Sequence, residues 1–405
     1  MSVVENSWNF SNDYSLEEDH HADTTLAAPV HEVLWTDPVT ATEGFLVTHN
    51  LVGGMATGGT RMQTGCDLSE VRDLARGMAI KTAAFELPVG GAKAGLDIDP
   101  EHPEALEVLE RFFSHLRPWI DHYWVTAEDL GVTQDTLDAV FARLGMEQSY
   151  HAAINRSDSP AATLERIHTG FGAEVPGGVS LAKVIGGYGV AQAALGTAQS
   201  LEWNLPATTA AVQGIGTIGG ATAMYLHHAG VSVVALADAA GTLYDPAGLD
   251  VPSLLQLRDA HDEIDRSQVP NHVEKLPSPR ILTLAADLLI PAAYSYAITA
   301  EHVPHIAARA IVEGANSPTT PEAEELLAAQ GIPVVPDFIA NAGAAAWTWW
   351  ILQGAVGAEA NDSLTRLKNH MHAKVEYLLT RWTVSAVPPR QSARNLAVEN
   401  YTTLS

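Results

Sequence analysis

The run Thr208-Thr-Ala-Ala-Val-Gln-Gly-Ile-Gly-Thr-Ile-Gly219 joins a short apolar strand pattern to a G-x-G-x-x-G turn and then to a helical stretch ending near Gly230. The glycine pattern alone is a weak signal; its place between a strand and a helix gives it weight. There the backbone N–H groups and positive end of the helix can hold a pyrophosphate. The next strand pattern, Val231-Ser-Val-Val-Ala-Leu-Ala-Asp238, ends on an acidic residue at the distance expected for a dinucleotide fold. A carboxylate there accepts hydrogen bonds from a ribose 2′-OH and repels a 2′-phosphate, and Ala239-Ala-Gly-Thr242 adds no Arg or Lys. This part therefore reads as an NAD rather than an NADP site, held by Gly214, Ile215, Gly216, Thr217, Ile218, Gly219 and Asp238. A helix over 180–201 precedes it. Apolar runs at 286–291, 310–312 and 332–335 predict further parallel strands.

Around that core, 405 residues leave room for a second domain. We read an α/β protein of two domains with a cleft between them. It comprises a loosely ordered acidic tail (1–30), a substrate and catalytic domain (31–175), a Rossmann-type doubly wound dinucleotide-binding domain (176–343), and C-terminal helices (344–405) returning to the substrate domain. Residues 145–178, rich in Ser, Ala, Gly and Pro, read as a long connection. The net charge is -26, with 22 Lys and Arg in all, which disfavours nucleic acid and anionic membrane as partners. One cysteine, Cys66, excludes an intrachain disulfide. No secretory or membrane-spanning pattern is present, so a cytoplasmic location is expected. Asp19-His20-His21-Ala22-Asp23 could bind metal, but a solvated tail is the simpler reading; no metal is expected.

The substrate half carries three chemically suggestive pieces. With Asp67 as N-cap, a helix from Asp67 to Leu87 places Val71, Leu74, Met78, Lys81 and Phe85 on one face. Lys81 then interrupts an apolar stripe, where it either binds something or reaches out to solvent. Leu87-Pro-Val-Gly-Gly-Ala-Lys93-Ala-Gly95 surrounds a second lysine with glycines. A lysine close to Lys81 would lose basicity and suit general-base work, although a flexible loop has the same composition. Val125-Thr-Ala-Glu-Asp129 ends an apolar run on two carboxylates, a helix cap or a proton shuttle.

Together these segments resemble the glutamate/leucine/phenylalanine/valine dehydrogenase family. The matching stretches are Gly58-Gly-Thr-Arg-Met62, Lys81, Leu87–Gly95, Thr126-Ala-Glu-Asp-Leu-Gly131, the glycine turn, Ile290-Pro-Ala-Ala293, Glu313-Gly-Ala-Asn-Ser-Pro-Thr-Thr-Pro-Glu322 and Pro336-Asp-Phe-Ile-Ala-Asn-Ala-Gly343. The N-terminal stretches look closer to the leucine and phenylalanine types. The resemblance implies NAD-dependent, reversible oxidative deamination of an L-amino acid to a 2-keto acid and ammonia by a homo-oligomer, a hexamer or an octamer. It also implies that Lys81 and Gly59 bind substrate, Lys93 activates water, Asp129 moves protons, and Ala292, Asn316 and Asn341 face the cofactor.

Two positions depart from the glutamate enzymes of the family. The lysine that grips the side-chain carboxylate is replaced by Thr57, and the assisting serine by Thr348, with Ala345 nearby leaving room. Glutamate is therefore not the expected substrate, and Trp347, Trp349 or Trp350 are expected at the pocket rim. Gly343-Ala-Ala345 and Gly186 also differ from the usual residues at their positions. The alternatives are a catalytically silent binding or assembly subunit, and a biosynthetic dehydrogenase for an unusual amino acid.

Overall fold

A computed structural model describes residues 29–146, 148–357 and 359–404. The His-Asp cluster at 19–23 lies outside the described residues. The chain forms two compact units, residues 1–160 with 397–405, and residues 161–396. The division thus follows residue 160 rather than 175, and residues 344–396 group with the second unit instead of returning to the first.

In the first unit come β1 (His31–Thr36), β2 (Glu43–Thr48), β3 (Ala56–Thr57), β4 (Thr60–Met62), α1 (Leu68–Ala84) and β5 (Gly90–Leu96). They are followed by α2 (Ala105–His115), α3 (Arg117–His122), β6 (Trp124–Val125), α4 (Gln134–Arg143) and α5 (His151–Arg156). The sheet order is β1-β2-β5-β3-β6, with β4 also on β5. Strand alternation divides β5 between two faces. Ala92, Ala94 and Leu96 join a core with Phe112, Phe113, Trp124 and Phe141. Gly91 and Gly95 fall on the opposite face, under α1. A Cβ at Gly91 would lie 2.1 Å from the Ala79 nitrogen, and one at Gly95 would lie 2.6 Å from both Val71 and the Cys66 sulfur. Gly-x-Lys-x-Gly is therefore a strand whose small residues admit a helix and whose one long side chain shares that face.

Helix α1 is capped as expected, Asp67 accepting from the Glu70 N–H at 2.8 Å. Its deeply buried face is Val71, Ala75, Ala79 and Ala83, one step round from the expected stripe. Leu74, Met78 and Lys81 are only half-buried. Small residues win the close contact because α1 packs against a glycine strand.

The second unit opens with α6 (Pro160–Phe171), a short hairpin of β7 (Glu174–Val175) and β8 (Val179–Ser180), and α7 (Leu181–Ser200). Residues 145–178 are thus mostly helix and hairpin, not one long loop; α5 and α6 are short and α6 buries only Thr163, Ile167 and Gly170. There follow β9 (Thr209–Gln213), α8 (Thr217–His228), β10 (Ser232–Asp238), β11 (Gly241–Tyr244), α9 (Val251–Gln256), β12 (Glu274–Leu276), β13 (Leu288–Pro291) and β14 (Ala310–Val312). The chain ends with α10 (Pro321–Ala329), β15 (Val334–Val335), α11 (Asp337–Ala340), α12 (Gly343–Leu352), α13 (Ala360–Ser385) and α14 (Pro389–Leu404). The sheet order is β12-β11-β10-β9-β13-β14-β15. From β10 to β15 it is parallel, with β11 and β12 antiparallel at one edge. The carboxyl ends of β9, β13, β14 and β15 put their loops at one edge of the sheet, where such folds bind ligands. Among the described residues no helix is long and apolar enough to cross a membrane.

Candidate active site

In the first unit, residues 56–62 run between β5 and the segment that follows β6. Gly58 N–H donates to Val125 O (3.1 Å), Thr60 N–H to Ala127 O (3.0 Å) and Met62 N–H to Leu130 O (2.9 Å). On the other side Ala94 N–H donates to Gly59 O (3.2 Å). The approach is close enough to require glycine: a Cβ at Gly58 would lie 1.6 Å from Ala92 O. Gly59 has the Glu128 carbonyl and the Asp129 Cβ against it. This zipper fixes Asp129 beside β5, and Lys93 Nζ meets Asp129 Oδ2 at 2.8 Å with both side chains buried.

Arg61, on the same zipper, donates from Nε to the same Asp129 oxygen at 3.0 Å and from Nη1 to Glu70. Burial pushes the Asp129 carboxyl up, but Lys93 and Arg61 outweigh it and hold it down at about 2. Asp129 is thus an ionised partner of two cations and not a helix cap; Thr133 caps α4. Lys93 thus has a carboxylate partner, which the sequence places in the same site without pairing the two. Lys81 stands half-buried on α1. Met78, one turn earlier, has its Cγ 3.3 Å from where a Gly58 Cβ would be. Thr57 is buried and its hydroxyl donates to Val125 O at 3.2 Å.

In the second unit, the glycine turn lies between β9 and α8. Gly214 has φ +88, and a Cβ there would lie 2.8 Å from the Ala293 Cα. Gly216 is the N-cap of α8 and offers no side chain to its first turn, so the N–H groups there have no side-chain cap. Ile215 is buried, while Thr217 and Ile218 begin the helix with Gly219 buried behind them. Ala292 N–H donates to Gln213 O at 2.7 Å, and Gly314 N–H to Pro291 O at 3.0 Å, so the loops of β9, β13 and β14 are tied together. Asn341, at the end of α11, donates from Nδ2 to Asn316 Oδ1 at 3.0 Å and to the Gly314 and Ala315 carbonyls. All the expected cofactor residues thus gather at one edge of the sheet. Ala345 and Thr348 lie on one half-exposed face of α12. Trp347, Trp349 and Trp350 are instead in the core, Trp347 donating to Ser363 Oγ at 3.0 Å; at no rim position are they exposed.

The profile of the Glutamate/Leucine/Phenylalanine/Valine dehydrogenase family matches residues 177–404, and that of its N-terminal part, described as the Glu/Leu/Phe/Val dehydrogenase dimerisation domain, matches residues 30–146. The chain belongs to this family. A glutamate dehydrogenase of Thermotoga maritima is 35% identical over 305 residues, 74% of this chain and 70% of that protein. An NAD-specific glutamate dehydrogenase A of Halobacterium salinarum is 31% identical over 337 residues, 82% of this chain and 73% of that protein. Among solved structures, a hetero-hexameric glutamate dehydrogenase of Thermus thermophilus in a leucine-bound form superposes with a TM-score of 0.75 at 26% identity, covering 94% of this chain and 90% of that one. As a member of the glutamate/leucine/phenylalanine/valine dehydrogenases the protein is an amino acid dehydrogenase, an oxidoreductase acting on a CH–NH2 donor with a nicotinamide dinucleotide.

Three features of this dehydrogenase escape a reading of its sequence. Arg61 stands in Gly-Gly-Thr-Arg, yet its place against Asp129 depends on the pairing of residues 56–62 with 123–130. Arg266 clasps Asp238 from 28 residues away. Arg390, at the start of α14, binds Glu313 at 2.6 Å, Glu324 at 2.5 Å and Asp337 at 3.2 Å. None of these partners is a sequence neighbour, and only the motif membership of Glu313 and Asp337 hinted at a role.

Proposed function

We propose that this chain carries out NAD-dependent, reversible oxidative deamination of an L-amino acid in the cytoplasm, as a homo-oligomer, a hexamer or an octamer. The observation that carries the reading is the buried Lys93–Asp129 pair at 2.8 Å, flanked by Arg61. The reaction removes a hydride from Cα, adds water to the resulting imine and releases ammonium, with one proton left over. Bound NAD supplies the hydride acceptor, and the residues suited to hold it are Gly214–Gly219, Ala292, Asn316 and Asn341. The chain's own groups have three tasks. Lys81, in its half-open apolar stripe, is proposed to anchor the α-carboxylate against Gly59 and Met78. Lys93 orients and activates the attacking water, because an ammonium fixed by a carboxylate can give up and regain a proton without leaving its place. Asp129, ionised and buried, receives protons and stabilises positive charge on Lys93 and on the iminium as it forms. On family resemblance alone, Ala345 and Thr348 are proposed as further substrate contacts.

The side chain of the substrate divides two readings. Relatives named as glutamate dehydrogenases make glutamate the first candidate. Thr57 favours a neutral side chain, since it is buried, uncharged and already donating to Val125 O. We propose the neutral reading. Steady-state NADH formation across a panel of L-amino acids, with wild type beside Lys93→Ala and Thr57→Lys, tests both levels. The Lys93→Ala variant is expected to lose about 10²–10⁴ in kcat. Thr57→Lys is expected to move preference toward acidic side chains by about tenfold or more. A wild type that prefers glutamate overturns the neutral reading and leaves the dehydrogenase standing; no amino-acid-dependent NADH from any substrate sinks the activity itself.

A further inference from the structure

Asp238 closes β10, where a free carboxylate would accept from the ribose hydroxyls of a dinucleotide and repel a 2′-phosphate. Its carboxylate is engaged on every side. Oδ1 accepts from the N–H groups of Ala240 (3.0 Å) and Gly241 (3.1 Å) and from Arg266 Nη2. Oδ2 accepts from Ile264 N–H (2.9 Å) and Arg266 Nη1 (2.6 Å). Two carboxylate oxygens offer about four lone-pair sites, and five donors fill them. The Asp238 side chain is 3% exposed and that of Arg266 23%. Arg266 is fixed in turn, giving its other η N–H groups to Ile264 O (2.9 Å) and Gly241 O (3.0 Å). Lys275 Nζ sits on the Arg266 carbonyl at 2.7 Å, adding a second cation at the same strand end. The charge that should exclude a 2′-phosphate is therefore paired, and of the two partners the guanidinium is the more exposed.

Resting on the reading of Gly214–Gly219 as a dinucleotide site, we infer that Arg266 is a specificity-determining residue: by clasping Asp238 it admits the 2′-phosphorylated dinucleotide beside the unphosphorylated one. This alters the expectation drawn from Asp238 and its immediate neighbours. The selectivity lies in a loop 28 residues on, where two η nitrogens turn a repelling carboxylate into a neutral fork.

The test compares NAD with NADP in turnover, and NADH with NADPH in binding by nicotinamide fluorescence, for wild type, Arg266→Gln and Arg266→Lys. Wild type is expected to discriminate between the two by no more than about tenfold, and Arg266→Gln to raise the NAD/NADP ratio of kcat/KM and the matching ratio of Kd by about tenfold or more. Arg266→Lys keeps the cation and should stay within about threefold of the wild-type ratio. Stronger discrimination by wild type overturns the inference. So does an Arg266→Gln ratio that stays put while both cofactors weaken together, the mark of a merely structural bolt. Binding is read independently of turnover: a chain that binds both dinucleotides yet turns over neither sinks the dehydrogenase reading and leaves this one standing.

Discussion

At Asp129 burial and charge oppose one another, and charge prevails. Desolvation favours the neutral acid, but Lys93 and Arg61 keep the carboxyl ionised down to about 2. A carboxyl whose folded value lies below its unfolded value of 3.8 stabilises the fold fully above that value and loses this contribution as pH falls toward the folded one. The interval from 3.8 to about 2 corresponds to about 2 kcal/mol. Asp129→Asn should therefore lower the unfolding midpoint at pH 7, leaving two buried cations short of a counter-charge. It should also flatten the decline of stability between pH 5 and 2, as thermal denaturation across that range would show; equal slopes would remove Asp129 from the account. Lys93 and Asp129 were both legible as residue types in glycine-rich and acidic stretches. Arg61 was quoted only as part of a motif, because nothing in one-dimensional spacing brings residue 61 to residue 129. The same holds for Arg266 and Asp238.

Among elements, β5 shows how far periodicity reaches. Its alternating glycines predict a close approach, and α1 makes it, but the spacing could not say which helix face would be chosen. Large side chains pointed to Val71-Leu74-Met78-Lys81, while the glycine floor selects the small residues Ala75 and Ala79. That choice leaves Leu74, Met78 and Lys81 half-open, which is more useful for binding than a sealed stripe. The residue 145–178 stretch was misread for a related reason: short helices with few buried positions carry little pattern. The parallel strands and α8 were legible because each is continuously apolar or bounded by glycine. The strand at residues 56–62 offers a test. Gly58→Ala puts a Cβ 1.6 Å from the Ala92 carbonyl, and backbone cannot yield as a side-chain tip does. A loss of about 3 kcal/mol or more is expected in urea unfolding; a change within about 0.5 kcal/mol would show that the zipper is looser than described.

For the whole molecule, the acidic surplus reaches the interior of the second unit. Glu313 is fully buried, and burial raises its carboxyl to about 7 although Arg390 pulls the other way. Asp337 and Glu324 share that one guanidinium. A buried acid of this kind keeps a proton that the unfolded chain gives up above 4.5, so stability declines as pH rises from about 4.5 to about 7. Glu313→Gln keeps the neutral shape and should flatten that decline, seen as unfolding midpoints that converge with wild type near pH 5 and exceed it at pH 8. Asp337 also accepts from Ser317 N–H at 3.0 Å and opens the helix that ends at Asn341. The cluster thus underpins the loop carrying Asn316. No periodicity or composition announces such a cluster, since its members come from the residue after β14 and from α10, α11 and α14.

The glycine floor of β5 has one more consequence. Because α1 rests on it so closely, the sole thiol of the chain, Cys66, is sealed against Gly95 and Val71, and burial with nearby Glu70 raises it to about 12. Hardly any of it is thiolate at neutral pH, so alkylating and oxidising reagents find nothing to attack until α1 lifts from the strand. The native protein carries its own stopwatch: the labelling rate of a single sulfur times the opening of the lysine-bearing unit, in a preparation where the dinucleotide-binding unit contributes no signal at all.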